Sequence, residues 1–256
     1  MNQTAVDPAA RPGKAVASMF SAIAPTYDLL NHLLSLNIDK LWRRAAAKAL
    51  APMGGEACLD LCTGTGDLAF AVMKACPGCA VTGADFSPEM MRRAGRKAEA
   101  RGIRLPLVRA DAMALPFRDG AFGALTVAFG IRNFEDLEKG LHEMARVLSP
   151  SGRAVILEFS PPRRSILGAA YRLYFTGLLP LVGKIVSRDA HAYGYLPSTV
   201  KSFLSPEELT DRLLAAGFSR ITHKPLTFGI AVLTVARKNH TANSSPNSGM
   251  SLLSSP

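Results

Sequence analysis

The chain has little cysteine, and this scarcity limits the redox and metal chemistry open to it. Its 256 residues include four cysteines, Cys58, Cys62, Cys76 and Cys79. Cys76 and Cys79 have the spacing of a redox pair, but they follow a helical pattern, whereas a reactive dithiol lies at a helix N-terminus that lowers its pKa. Neither the other two cysteines nor the five histidines have zinc-ligand spacing. We therefore predict four reduced thiols and no metal site.

Long apolar runs are missing as well. Residues 1–13 lack the apolar core of a signal peptide, and the uncharged apolar stretch at 173–183 is too short to span a bilayer. We therefore expect a cytoplasmic protein that can still contact a membrane surface.

Acidic residues are relatively few. The chain has 20 aspartates and glutamates against 30 lysines and arginines, so its net charge is +10. Such an excess favours anionic partners, namely nucleic acid, acidic lipid headgroups or phosphorylated substrates. Most of it comes from two stretches: Arg92, Arg93, Arg96, Lys97, Arg101 and Arg104, and then Arg163, Arg164, Arg172, Lys184, Arg188 and Lys201. The first stretch is typical of a solvated helix face. The second is interleaved with apolar residues, which leaves a functional role open.

Strand and helix patterns alternate along most of the chain, and they predict an α/β fold. The predicted strands are 57–61, 80–85, 105–109, 122–129, 153–159, 218–223 and 229–236, and the predicted helices are 67–75, 88–101, 135–148 and 206–216. This alternation indicates a mostly parallel, seven-stranded sheet with helices on both faces. The last two strands have no helix between them, and Pro225 predicts a tight hairpin connection there.

The rest of the chain elaborates a single domain. We expect a flexible N-terminus at 1–14, one domain over 15–238 that begins with helices at 15–50, and a disordered, Ser/Asn/Pro-rich tail at 239–256. Residues 161–205 interrupt the alternation with apolar, aromatic and basic residues. This insert is expected to be helical, and it can form a wall of a substrate site or a layer that only covers the sheet.

A Gly-rich turn follows the first predicted strand. Residues 60–66 read Asp-Leu-Cys-Thr-Gly-Thr-Gly, a helical pattern comes next, and the second strand ends in Asp85. Gly64 and Gly66 let the backbone approach a ligand, and a carboxylate at the end of the second strand can accept hydrogen bonds from both ribose hydroxyls. The pattern therefore predicts a nucleoside site. It resembles the signature of S-adenosylmethionine (SAM) methyltransferases, with Cys62 at the first glycine, more closely than the dinucleotide fingerprint.

Further candidate ligands follow the other strands, since the carboxyl ends of parallel strands share one edge of the sheet. Asp60 and Thr65 are expected near the methionine portion of SAM, and Phe86 can pack on adenine. Asp111 can accept a hydrogen bond from the adenine amine while the Ala112 amide meets a ring nitrogen. The alternative for Asp111 is a helix N-cap or a turn residue.

An arginine and an amide, Arg132 and Asn133, follow the fourth strand. Side chains of these types can stabilise a developing oxyanion on a substrate beside the cofactor. In the structural alternative, Asn133 caps a helix that starts at Phe134 and Arg132 forms a surface salt bridge.

Eight segments carry a resemblance to a known family. They are Phe20–Asp28, Leu59–Asp67, Ala110–Phe117, Phe129–Asn133, Arg146–Gly152, Leu157–Ser160, Tyr193–Ser198 and Ala216–Phe218. Together they resemble the ubiquinone/menaquinone biosynthesis C-methyltransferases (UbiE/MenG type) over roughly residues 15–238. The resemblance implies a Rossmann-like class I methyltransferase fold with SAM as cofactor.

The resemblance also implies roles for single residues. It assigns cofactor contacts to Thr65, Asp85, Asp111 and Ala112, whereas Ala128 stands where the family often has a serine in contact with the cofactor or the substrate. That departure leaves a backbone contact as the one that Ala128 can make.

A prenylated quinol is the implied substrate, with Tyr27, Arg132 and Asn133 facing it. A quinol ring carbon becomes nucleophilic when a ring hydroxyl loses its proton, and the base is either Asp111 or a water near Tyr27. The 161–205 insert would supply a groove for the prenyl tail, and its basic residues would hold the protein at an anionic membrane. Naphthoquinol and benzoquinol acceptors both stay open, with menaquinone preferred, and a homodimer is one assembly that the sequence allows.

Two other function classes compete with this interpretation. A SAM-dependent methyltransferase acting on RNA or another small molecule would also explain the charge. However, the fourth strand does not end in the Asn-Pro-Pro-aromatic motif of amino-group methylation, and no RNA-binding module is appended, so no nucleic-acid partner is expected. A cofactor-binding protein without catalysis is disfavoured by the presence of Asp85, Asp111 and Arg132 together.

Overall fold

The computed structural model describes residues 37–51, 54–160 and 203–239, together with Ser21, Ala24, Tyr27, Asp28, His32, Ser35 and Thr199. Its helices are α1 (Ile38–Leu50), α2 (Asp67–Ala75), α3 (Pro88–Glu99), α4 (Leu137–Val147) and α5 (Pro206–Ala215). Its strands are β1 (Ala57–Leu61), β2 (Ala80–Asp85), β3 (Leu107–Arg109), β4 (Phe122–Ala128), β5 (Leu148–Phe159), β6 (Phe218–Leu226) and β7 (Ala231–Lys238). The predicted N-terminus and tail, and nearly all of the 161–205 insert, lie outside the described residues.

The seven strands form one sheet in the order β3-β2-β1-β4-β5-β7-β6. Strands β1 to β5 pair in parallel, and β7 runs antiparallel to both β5 and β6. This arrangement confirms the predicted mostly parallel sheet with a hairpin at one edge. The chain reverses its direction of winding between β1 and β4, and ligands bind at such a switch point, outside the carboxyl ends of the strands.

Each face of the sheet carries its own apolar core, because successive strand residues point to opposite faces. On one face α1 and α2 pack on the sheet, with Trp42, Leu68 and Leu157 buried between them. On the other face α4 and α5 cover residues such as Leu125 and Phe218. In β1, Asp60 shares the α1/α2 face with Cys58, so its carboxylate is buried under α1 and α2.

Three helix starts follow the sequence signals for capping. Ser87 caps α3 ahead of Pro88, and Ser205 forms a capping box with Glu208 at the start of α5. Helix α4 is capped by Asp136, whose carboxylate accepts a hydrogen bond from the Lys139 amide. Asn133 belongs instead to a short 3₁₀ turn, Ile131–Asn133. The alternative in which Asn133 caps the following helix is therefore wrong.

Five of the seven strands differ from their predicted bounds, and the differences at β5 and β6 are the most informative. Strand β6 continues through Pro225, which is paired with Val232, and the connection to β7 is a 3₁₀ turn at Thr227–Gly229. The predicted tight connection at Pro225 is thus wrong; a proline fits within β6 because β6 is an edge strand and its outward amide needs no partner. Strand β5 begins at Leu148 instead of residue 153, and Leu148 is where the predicted helix 135–148 was to end.

The prediction of four reduced thiols is wrong for one pair. Cys76 and Cys79 are joined by a disulfide, with Cα atoms 5.5 Å apart. The turn between α2 and β2 brings them within the range that a disulfide spans. Cys58 and Cys62 are free thiols.

A buried ion pair ties the end of α1 to the sheet. Arg153 on β5 is 8% exposed; its Nη1 and Nη2 atoms donate to the Glu56 carboxylate at 2.9 and 2.7 Å. Its Nε and Nη2 atoms also donate to the carbonyl oxygens of Leu50 and Ala51, at 2.5 and 2.9 Å. These carbonyls lie at the C-terminus of α1, where a cation is favoured by the helix dipole. Arg153 therefore fixes how α1 packs on the sheet.

We expect the substitution Arg153→Ala to lower the free energy of unfolding by about 3 kcal/mol or more, because it removes one partner of a buried ion pair. Urea denaturation followed by circular dichroism measures this change. The matched control is Arg212→Ala, since Arg212 forms an exposed ion pair with Glu138, and such pairs contribute about 0–1 kcal/mol. Equal losses in the two variants would contradict the role given to Arg153.

Candidate active site

The Gly-rich turn is held by the carboxylate at the end of β2. Asp85 accepts hydrogen bonds from the amides of Gly64 and Ser87, both at 2.8 Å. Gly64 has a φ of +55°, and a Cβ placed on it would meet no described atom closer than the Cys62 carbonyl oxygen at 4.0 Å. Glycine thus adopts the left-handed backbone conformation without strain, and its lack of a side chain leaves space beside the turn. Burial raises the pKa of Asp85, and the amide hydrogen bonds oppose this rise.

A second carboxylate, that of Asp60, is buried at the end of β1. It accepts hydrogen bonds from the hydroxyls of Thr63, at 2.6 Å, and Thr126, at 2.7 Å. Thr126 is the register partner of Asp60 on β4, so this bond joins the two central strands. Burial raises the pKa of Asp60 to about 6, although the two hydroxyls oppose the shift. The carboxylate is therefore mostly ionised at neutral pH, and a cation placed near it would favour the ionised form further.

A small cavity, of about 30 Å³, lies over this turn. Its described lining residues are Tyr27, Arg43, Asp60, Cys62, Thr63, Gly64, Thr65, Asp67, Leu68, Ala128 and Phe129. Its mixture of apolar walls and a few polar groups is common in small-molecule sites. Five residues predicted from the sequence, Tyr27, Asp60, Gly64, Thr65 and Ala128, are brought together here.

A polar network joins the segment before α1 to the turn. Thr65 donates its hydroxyl to the Asp28 carboxylate at 2.5 Å. Lys97 on α3 donates to Asp28 at 2.9 Å and to Asp67 at 2.5 Å. Lys97 is thus paired beside the turn, so the prediction of a solvated face for the first basic stretch is wrong at this position. Sequence reasoning missed Asp28 and Lys97, since only the fold brings them beside Thr65.

The segment after β4 packs against the turn and against α1. Phe129 adopts a left-handed φ of +56° and stacks on Phe159, with ring centroids 4.5 Å apart. A Cβ on Gly130 would lie only 2.7 Å from the Cβ of Cys62, so Gly130 has to be a glycine while Cys62 occupies the turn. Burial and the neighbouring carboxylates raise the pKa of the Cys62 thiol. Cys62 is therefore a protonated packing residue, which suits a tolerated replacement of the first glycine.

Arg132 is buried and lies beside Glu158 on β5. Its Nη1 atom donates to the Glu158 carboxylate at 2.7 Å and to the Phe129 carbonyl at 2.5 Å. The two charged side chains are 5% and 4% exposed, so the alternative of a surface salt bridge for Arg132 is wrong. The Asn133 amide donates to the same Phe129 carbonyl at 3.3 Å. Arg132 and Asn133 therefore converge on the backbone at the end of β4, and Glu158 is the partner that sequence reasoning did not assign.

The predicted adenine ligands flank the neighbouring strand ends. Phe86 follows β2, and the centroid of its ring lies 5.7 Å from the guanidinium carbon of Arg109. Asp111 accepts a hydrogen bond from the Met113 amide at 2.9 Å, so it has the turn role that was its structural alternative. A carboxylate accepts several hydrogen bonds, so this turn role is compatible with a contact to the cofactor. The cofactor contact of Asp111 stays a prediction. Ala112 is buried beside it, and Gly66 precedes α2.

The residues present fit SAM by the chemistry of their donors and acceptors. Asp85 lies at a strand end next to a glycine turn, where a ribose is expected. Asp60 and Asp67 border the cavity with carboxylates that suit the cationic methionine portion. The space beside Gly64 allows a ligand to approach the backbone closely.

Among the helices that the structure describes, none has both the length and the apolar character that a bilayer-spanning segment requires.

Comparisons with known proteins agree with this geometry. The model of the ubiE/COQ5 methyltransferase family matches residues 9–238. A demethylmenaquinone methyltransferase of Thermus thermophilus is 52% identical over 217 residues, which cover 85% of this chain and 98% of that protein. A ubiquinone/menaquinone biosynthesis C-methyltransferase UbiE of Geotalea uraniireducens is 43% identical, with 88% and 97% covered.

A solved structure supports the fold in the same way. A SAM-dependent methyltransferase of Thermotoga maritima superposes with a TM-score of 0.62 at 20% identity, covering 87% of this chain and 99% of that one. At this identity the likeness shows the class I methyltransferase fold alone. The family model and the close relatives go further, and with them we conclude that the chain belongs to the ubiE/COQ5 methyltransferase family.

Proposed function

We propose that the protein transfers the methyl group of SAM to a ring carbon of a prenylated quinol, with demethylmenaquinone as the acceptor. The observation that carries the proposal is the cavity at the β1/β4 switch point, which places Asp60, Thr65 and Tyr27 around one space. Relatives named demethylmenaquinone methyltransferase at 52% and 47% identity support the menaquinone acceptor. A UbiE relative at 43% identity keeps a benzoquinol as the second candidate.

SAM, when bound, supplies an electrophilic methyl group. Asp85 would hold its ribose hydroxyls, while Asp60 and Thr65 would border its methionine portion. Asp111 and Ala112 would meet its adenine, with Phe86 beside the ring. At Ala128 only the backbone and a methyl group are available, so this position contributes shape to the cavity wall.

The acceptor has to present a nucleophilic ring carbon, and Arg132 and Asn133 would stabilise the phenolate that makes it nucleophilic. Glu158 and the Phe129 carbonyl orient the Arg132 guanidinium. A guanidinium has five N–H donors, so an arginine held by a carboxylate can still serve an oxyanion. Tyr27 lines the cavity where a ring can pack. The proton of the ring hydroxyl would pass to a water near Tyr27, because Asp111 is used for the adenine; the ring carbon loses its own proton to solvent after methyl transfer.

The direct test is transfer of labelled methyl from SAM to reduced demethylnaphthoquinols and to benzoquinols. We expect the naphthoquinol to be methylated with the higher kcat/KM. In Arg132→Lys, kcat should fall by about 100-fold, because one oriented donor to a developing oxyanion is worth about 10²–10³ in rate. Undiminished kcat in this variant would remove Arg132 from the mechanism.

The control for this test separates catalysis from stability. Arg132→Ala alone leaves Glu158 as a buried carboxylate without this arginine, which costs about 3–5 kcal/mol of stability. The double variant Arg132→Ala/Glu158→Gln removes both charges, and it should unfold at a higher temperature than Arg132→Ala while staying as inactive. Recovered activity in the double variant would show that Arg132 acts only through folding.

Binding of SAM should depend on the protonation of Asp60. The ionised carboxylate attracts the cationic methionine portion, and its pKa near 6 means that this charge is lost as the pH falls through that value. We expect the Kd for SAM to rise by about tenfold from pH 7.5 to pH 5, since one proton is linked to binding. Isothermal titration calorimetry measures the profile. Asp60→Asn should flatten it, and an unchanged slope in that variant would assign the dependence to another group such as Asp85.

A contact with an anionic bilayer, where a prenylated quinol resides, is a further part of the proposal. Helix α1 exposes Lys40, Arg44 and Lys48 at four-residue intervals, next to Leu41 at 58% exposure. Phe228, at 79% exposure, stands at the β6–β7 connection, beside the carboxyl end of β5. Basic residues flanked by exposed apolar side chains suit an anionic surface. These five residues are here called the basic rim.

Sedimentation with phosphatidylglycerol vesicles tests the contact. Lys40→Gln/Arg44→Gln/Lys48→Gln should weaken binding by about tenfold or more, because each basic residue near an anionic surface contributes about 1 kcal/mol. The variant that neutralises Arg163, Arg164, Lys184 and Arg188 tests the insert in the same way. Arg96→Gln/Arg101→Gln/Arg104→Gln is the control, with the same loss of charge at the β3 edge. Binding that is insensitive to the first two variants would end the membrane proposal.

A further inference from the structure

Arg43 is a buried arginine in the cavity wall. It belongs neither to the Gly-rich turn nor to the segment after β4. It lies on α1, is 8% exposed, and forms an ion pair with Asp39 one turn earlier. Its guanidinium carbon lies 5.7 Å from the centroid of the Phe129 ring. The side chain thus reaches from α1 across to the end of β4 and borders the open space.

Asp39 is itself held in place, so Arg43 has a fixed orientation. The Ser35 hydroxyl donates to one Asp39 oxygen at 2.6 Å, and the His32 ring nitrogen Nδ1 lies 2.9 Å from the other. Burial alone would raise the pKa of Asp39, but the Ser35 hydroxyl, Arg43 and His32 outweigh it and hold the pKa below its ordinary value. Asp39 therefore stays ionised at neutral pH and keeps the guanidinium aimed at the cavity.

The charges of the cavity complement an amino-acid zwitterion. Among the described residues that line the cavity, Asp60 and Asp67 supply negative charge and Arg43 supplies the positive charge. Arg43 acts on the Asp60 carboxylate electrostatically, so the opposite charges face one space. An α-amino acid carries an ammonium group and a carboxylate a few ångströms apart. Carboxylates suit its ammonium group, and an arginine suits its carboxylate.

We propose that Arg43 binds the α-carboxylate of the methionine portion of SAM, with Asp39 as the residue that positions it. This inference rests on the proposed use of SAM. Two other roles are open to a cation at this place. Arg43 can serve the acceptor phenolate instead, or the amides at the start of α2 can bind the carboxylate without it. Each role predicts a different result when the ligand carboxylate and the arginine are removed separately.

The experiment compares SAM with its decarboxylated analogue, S-adenosylmethioninamine, by isothermal titration calorimetry. We expect the unaltered protein to bind SAM about 10- to 100-fold more tightly, as one charge-assisted hydrogen-bonded contact provides. In Arg43→Gln this preference should fall to nearly one, through weaker binding of SAM. Arg43→Lys should retain part of it, because an ammonium keeps the charge but not the planar fork.

The matched control is Arg153→Gln. Arg153 is as buried as Arg43 and is also paired with a carboxylate, but it lies away from the cavity lining. It should lower the thermal unfolding temperature and leave the ligand preference unchanged. If Arg43→Gln fails to fold because Asp39 is left buried, Asp39→Asn/Arg43→Gln removes both charges and should show the same loss of preference.

Each outcome decides one question. An unchanged preference in the Arg43 variants, with an unchanged KM for the quinol, would overturn the proposal and favour the α2 amides. Unchanged affinity for both ligands with a raised KM for the quinol would overturn it and assign Arg43 to the acceptor. No binding of SAM to the unaltered protein would instead refute the proposed function itself.

Discussion

The buried carboxylate of Asp60 is the constraint on which the site depends. It lies between the two central strands, at the point where the chain reverses its direction of winding, and Thr126 of β4 and Thr63 of the turn both donate to it. A carboxylate at this depth would cost several kcal/mol without such partners. Its hydrogen bonds therefore fix the register of β1 against β4 and the start of the turn together. Burial also leaves Asp60 with a pKa near 6, which makes its charge responsive to a cationic ligand.

Around this carboxylate, the site is assembled from segments that are far apart in sequence. Asp28 and Lys97 hold Thr65 from the N-terminal side and from α3. Trp42 on α1 donates to Thr227 in the β6–β7 connection at 2.8 Å, so the wall formed by α1 is tied to the far edge of the sheet. Arg153 anchors the other end of the same helix. Helix α1 is thus fixed at both ends, and the Arg43 side chain therefore projects from it in a defined orientation.

Much of the fold could be predicted from the sequence because local patterns decide it. The bounds of β1, β2 and α2 were predicted to the residue, since apolar runs and Gly-rich turns punctuate them clearly. The predicted connection at Pro225 was wrong because a proline is excluded from a central strand but tolerated in an edge strand. The sequence does not show which strand lies at the edge. The Cys76–Cys79 bond was missed for a similar reason, since only the turn geometry brings the two Cα atoms within reach.

The sequence alone determined the class of fold, the nucleoside turn and the residues at the strand ends, because each depends on neighbours within one strand-turn-helix unit. Only the tertiary structure decided what those residues meet. The sequence is compatible with a surface position for Arg132, but the fold pairs it with the buried Glu158. Lys97 belongs by sequence to a basic helix face, but the fold places it between Asp28 and Asp67. Pairings between charges distant in sequence are set by how helices and strands pack on one another, and no local periodicity encodes them.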